Sequence, residues 1–169
     1  METSKSNRPP ELPTPNKPSP EQLLTDWYRR ARESQFSHYT AADYYTRLNL
    51  WLGVPVVCFS TVVGTTVFAT LEQEVDILLR ILVGSISVIA AVLASLQTFL
   101  RFSERVEKHK STAAAYGAIR REIEQMQAIS VSLDGEENDI TSIRDRLDGL
   151  AAEAPEIPQR VWKKALENL

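Results

Sequence analysis

The chain reads as an all-α integral membrane protein, a two-helix hairpin carrying long cytoplasmic helical arms and expected to be oligomeric. Three observations lead to this class. From Leu48 to Leu71 the one ionisable side chain is the thiol of Cys58, and from Ile81 to Leu100 there is none. An α-helix rises about 1.5 Å per residue, so roughly 20 apolar residues match a hydrocarbon layer of about 30 Å. Both stretches meet that length, although a mean hydropathy of −0.21 over the whole chain conceals them. The connector, Glu72 to Arg80, is too short to be a domain, so the chain turns straight back. Outside the two stretches, apolar residues recur every three or four positions and no run alternates as a strand would.

Each element follows in order. Residues 1–19 hold five prolines and Pro20 comes next, so this segment is expected to be a disordered tail, unable to sustain helix or sheet. Its PxxP patterns arise readily in any proline-rich linker. Ser19 then offers an N-cap, Pro20 a first helical residue and Gln22 a capping-box partner. Residues 20–47 are expected to form an amphipathic helix, with Leu24, Trp27, Ala31, Gln35, His38, Ala42 and Tyr45 on one face. Residues 48–71 are the first span, where Pro55 removes one helical hydrogen bond and is expected to bend or restart the helix. Residues 72–80 form an external loop and residues 81–100 the second span. From residue 101 to 130 no proline occurs, and Phe102, Val106, His109, Ala113, Tyr116, Ile119, Ile123 and Met126 keep helical spacing. The second span is therefore expected to continue as one long helix. Leu133 to Asp139 breaks the pattern, and residues 131–169 are expected to form short helices. In the first of these Asp139 is the cap, and in the last Trp162 and Leu166 share a face.

Orientation follows from the basic residues beside the spans. Arg29, Arg30, Arg32, Arg47, Arg101, Arg105, Lys108, Lys110 and Arg120 flank one side, against Arg80 alone in the connector. The positive-inside tendency then places both termini in the cytoplasm of a multi-pass inner-membrane protein. A signal peptide is not expected, because 47 residues precede the first span. A net charge of −3 with scattered basic residues gives no case for nucleic acid. The single cysteine excludes an intrachain disulfide.

Catalysis is not expected, since no nucleophile elbow, P-loop or dinucleotide fingerprint occurs. Nor is a cofactor or a metal: Glu107 and His109 lie two apart, hence on different helix faces, and no Glu-x-x-His or Cys-x-x-Cys is present. The residues that stand out are structural. Ser87, Ala91 and Ser95 form a small-residue ridge with Gly84 beside it, a pattern that lets membrane helices approach closely. Ser60, Thr61, Gly64 and Thr65 gather near the middle of the first span, and Gln97 stands near the inner end of the second. Together these are candidates for a helix interface or a pore lining. Bonding of each hydroxyl back to its own helix is the plainer alternative. Two spans cannot enclose water, so a conduit requires several copies. Glu72, Glu74 and Asp76 would then ring an outer mouth. Trp27, His38, Tyr45, His109 and Tyr116 are expected to form the seam of a cytoplasmic bundle. The two histidines could meet there as a pH-sensitive pair, although a packed, hydrogen-bonded histidine is the commoner case.

The arm DWYRRARESQFSHYTAADYY, the hairpin segments LNLWLGVPVVCFSTVVGTTVFATL and ILVGSISVIAAVLASLQTFLRFSERVEKHKSTAAAYGAIRREIE, and the tail element APEIPQRVWKKAL carry a resemblance. Together they look like the SLATT family, the SMODS and SLOG-associating two-transmembrane effectors. The likeness runs from Glu21 to the C-terminus and omits the proline-rich tail. It implies a prokaryotic anti-phage effector: an oligomeric pore or membrane disrupter that causes growth arrest, switched on by a nucleotide-signalling partner protein or a cyclic nucleotide. An adaptor that only anchors its helical arms to the bilayer, where they recruit a partner protein, is the rival reading.

Overall fold

Ser19 opens the first helix through a capping box. Its hydroxyl accepts from the Gln22 N–H at 3.2 Å, while its own N–H donates to Gln22 Oε1 at 3.0 Å. From there α1 runs from Pro20 to Ala69, 50 residues without interruption. Pro55 lies inside it and does not restart it. The computed structural model describes residues 18–70, 74–129 and 136–169. Most of the expected disordered tail, Glu72 of the loop and residues 133–135 of the expected break lie outside the described residues.

The return helix α2 spans Ile77–Leu100, with the Asp76 carboxylate accepting from the Leu78 N–H at 3.5 Å. It starts four residues before the expected Ile81, and so takes in Arg80. A charge criterion stops a span at Arg80, yet an arginine one turn from a helix end can reach the interface along its own stem. Beyond it, α3 spans Phe102–Ile129. The expected single rod from α2 into α3 is corrected here, because Arg101 adopts φ 47 and ψ 43, the left-handed region. For a residue with a Cβ this costs roughly 1–2 kcal/mol. The ladder resumes at once, with the Arg105 N–H donating to the Arg101 carbonyl at 3.2 Å.

Two short helices follow, α4 at Glu136–Glu153 and α5 at Gln159–Glu167. Asp139 is therefore inside the first turn of α4 and is not its cap. On α5 the buried residues are Val161 and Ala165, whereas Trp162 and Leu166 are half-exposed. The packed face is thus the one beside Trp162 and Leu166, where the small Ala165 lets α5 approach α1 closely.

No strand occurs among the described residues. Helices α1 and α3 pack along one another, α5 lies on α1 and α4 on α3, while α2 pairs with the far end of α1. Leu24, Ile119, Ile123 and Ile143 form the bundle core, with Trp27 and Met126 packed on it. Ala31, Ala41, Ala42 and Ala113 have no exposed surface, so the α1 and α3 backbones run close together. The hairpin differs in kind. On α2 Ala90 is buried, while on the span half of α1 Trp51 is 81 % exposed and Phe68 77 %. A core helix of a water-soluble protein shows the reverse. Both long helices are apolar and long enough to cross a bilayer.

Candidate functional site

The bundle seam is built from rings. Phe102, Tyr45, His109, His38 and Tyr116 follow one another with centroid separations of 6.1, 5.4, 5.2 and 5.8 Å. Positions 38 and 45 are two turns apart on α1, as are 109 and 116 on α3, so both pairs alternate across one closely packed seam. Trp27 sits apart from them, against the aliphatic core. At the centre the two histidine Nδ1 atoms are 3.0 Å apart. One ring must then carry its proton on Nδ1 and donate, while the other accepts.

Both rings are buried. Burial, with the nearby charge of His109 second, pushes His38 down to about 4. His109 is lowered by burial first and by Arg105 second. The Tyr116 hydroxyl is raised by burial, which its hydrogen bond with Ser34 partly opposes. The seam therefore favours two neutral imidazoles, because double protonation would set two donors face to face.

Several contacts were not legible in the sequence. Phe102 caps the ring series, and the Arg105 guanidinium lies 5.6 Å over the Tyr45 ring. Both depend on how far α3 is slid along α1, which spacing within one helix does not report. Ser37 is fully buried with its hydroxyl unpaired. A Cβ at Gly117 would lie 2.6 Å from Gln35 Nε2, so that glycine makes room for the amide.

In the hairpin, Ser60, Thr61 and Thr65 are exposed, as are Gly84, Ser87, Ala91 and Ser95. A Cβ on Gly64 or Gly84 would meet nothing within 4 Å. Thr61 donates to the Val57 carbonyl at 2.8 Å, Thr65 to Thr61 at 2.9 Å and Ser95 to Ala91 at 2.8 Å, so these hydroxyls are satisfied by their own helices. Gly84 and Ser87 border an open groove of about 600 Å³ between the spans near their turn. Gln97 is the member of the set that joins the two spans of one chain. Its amide lies 3.5 Å from Asn49 Oδ1 and presses on Gly53. Glu74 and Asp76 are exposed at the turn, and Asp76 is occupied as a cap. Among the described residues no group of three or more His, Cys, Asp and Glu side chains could hold a metal ion.

A water-soluble helical bundle that runs into an apolar hairpin dressed outward with hydrophobic side chains defines a two-span membrane protein. The chain belongs to the SMODS and SLOG-associating 2TM effector domain family 4, whose pattern matches residues 21–166. It is thus a membrane effector of the kind associated with SMODS and SLOG systems. No curated protein and no solved structure matches it.

Proposed function

We propose that copies of this hairpin assemble in the inner membrane and open or disrupt it, arresting growth when a nucleotide-signalling partner is triggered. Both termini lie in the cytoplasm, where the bundle receives the signal, and no chemical reaction is catalysed. The observation that carries this reading is the outward placement of the small-residue ridge. Ser87, Ala91 and Ser95 are exposed, while their neighbour Ala90 is used up within the chain. Lipid tails already solvate apolar side chains, so close backbone approach is the main gain left for helix association in a bilayer. A ridge that its own chain leaves uncovered suits a second copy. Two spans alone cannot surround water, so assembly and permeation are linked.

Ala91→Trp tests this. The variant should lose oligomer in detergent, dye leakage from liposomes and growth arrest on expression together, while Ile89→Trp, exposed on the side of α2 away from both the ridge and α1, keeps all three. A wild-type chain that assembles with its signalling partner present and never leaks would favour the membrane anchor or adaptor instead.

A further inference from the structure

Where the second span ends, four segments border an open cavity of about 370 Å³. Its walls include Tyr45 of α1, Arg101 at the helix break, Glu104, Arg105 and Lys108 of α3, and Glu156 between α4 and α5. Three cations thus meet two carboxylates. Glu104 lies 3.5 Å from Arg101 and 3.1 Å from Lys108. That neighbourhood holds its carboxyl below the usual range, chiefly through the hydrogen bond from Lys108. Arg105 has no carboxylate within ion-pair distance among the described residues, and the Tyr45 ring supports it from one side. The guanidinium therefore borders the cavity without a carboxylate partner, and a fork of this shape matches phosphate oxygens.

Depth is the second observation. Phe99 and Leu100, the last residues of the uncharged span, also line the cavity, and Phe99 is 84 % exposed. A site that passes from a bare phenyl ring to three cations over about two and a half helical turns straddles the boundary between acyl chains and headgroups. The left-handed Arg101 interrupts the helix at this level and brings its side chain to the same cavity.

We propose that this cavity binds the phosphate of an anionic phospholipid, with Arg101 and Arg105 as donors, Lys108 as a point charge, and Phe99 and Leu100 against the start of the acyl chains. The proposal rests on the membrane reading of the hairpin. Because Arg105 lies on Tyr45, and Tyr45 stacks on His109, an occupied site is in contact with the seam of the bundle.

The test uses the full chain in detergent, titrated with short-chain phosphatidylglycerol, short-chain phosphatidylcholine and sodium phosphate while thermal unfolding is followed. Phosphatidylglycerol should raise the midpoint saturably, phosphatidylcholine should not, and phosphate alone should act only weakly. Lys108→Gln, at an exposed position whose ion pair with Glu104 contributes little to stability, should weaken the phosphatidylglycerol response about tenfold. Arg101→Gln with Arg105→Gln should abolish it, whereas Arg121→Gln, exposed farther along α3, should leave it unchanged. Equal responses to the two lipids, or full phosphatidylglycerol affinity in Lys108→Gln, would overturn the site. Free phosphate matching the lipid would overturn its assignment to a headgroup. Extraction of the reconstituted chain from phosphatidylcholine vesicles by carbonate separates the two readings. A chain that resists extraction but shows no lipid preference loses this site alone, and one that washes off loses the membrane reading and the site with it.

Discussion

In the bundle, α1 and α3 bury four alanines, a histidine pair and Ile123, and turn Glu107, Lys110 and Arg121 outward. In the hairpin, the same α1 and its partner α2 bury Ala90 and turn Trp51, Val57, Phe68 and Val88 outward. Secondary structure is constant across this change. What inverts is the side on which apolar groups lie, because the medium supplies the hydrophobic contact in one half and the partner helix supplies it in the other. The polar seam of the bundle is tolerable because its two imidazoles bond to each other and its rings stack. The hydroxyls of the hairpin are tolerable because they bond to their own carbonyls.

The sharpest way to break this comparison is to put the wrong polarity into each half. Ile123 has no exposed surface, so Ile123→Asp should cost more than about 4 kcal/mol and expose the bundle to limited proteolysis. Val88→Lys on the outward face of α2 should cost about 3 kcal/mol in membrane insertion and leave the protease pattern of the bundle unchanged. A chain in which Val88→Lys is harmless would have its hairpin in water.

A smaller effect comes from acid. Both histidines have folded-state values below the ordinary one, so the folded bundle binds fewer protons than the unfolded chain between about pH 6.5 and pH 4. Stability is then complete above that window and falls as pH drops through it, by about 2–3 kcal/mol for His38 at its lower end. The groups facing the pair are Tyr45, Tyr116 and Arg105. Chemical denaturation across this range should lose most of its slope in His38→Gln, and a wild-type curve flat from pH 7 to pH 4.5 would remove the neutral pair.

The smallest comparison uses two glycines. Gly64→Ala adds helix propensity of up to about 1 kcal/mol with nothing to displace. Gly117→Ala must move the Gln35 amide, whose Oε1 is buried, and should forfeit that gain. Paired thermal unfolding should rank Gly64→Ala about 1 kcal/mol above Gly117→Ala.

Much of the fold was legible because the helical period is strong. The Ser19 box, the two apolar stretches and the stripes through Leu24 to Tyr45 and Val106 to Ile123 are written in residue spacing. The break at Arg101 was not, since Phe99 to Phe102 contains neither glycine nor proline and no local residue demands a positive φ. Which face of α5 packs was not legible for a related reason: Trp162 and Leu166 are the bulkier pair, but distance to α1 selects Val161 and Ala165. Spacing likewise identified small residues on α2 without saying whether Ala90 or Ala91 meets α1. At the seam, both histidines fell on the apolar stripes. The Phe102 and Arg105 contacts needed the offset between two helices, which no single-helix pattern contains.

The two strands of this hairpin also differ as mechanical parts. Helix α1 carries 50 residues without a break, about 75 Å of rod, so a tilt of about 5° at its bundle end displaces its far end by roughly 6 Å. The return path has a knuckle at Arg101, where one residue in the left-handed region separates two rods. An equal tilt applied to α3 can be taken up there by a few degrees of φ and ψ, leaving α2 upright. One leg is built as a lever and the other as a joint, so α1, even with the hydrogen bond lost at Pro55, is the unbroken path from the bundle to the membrane.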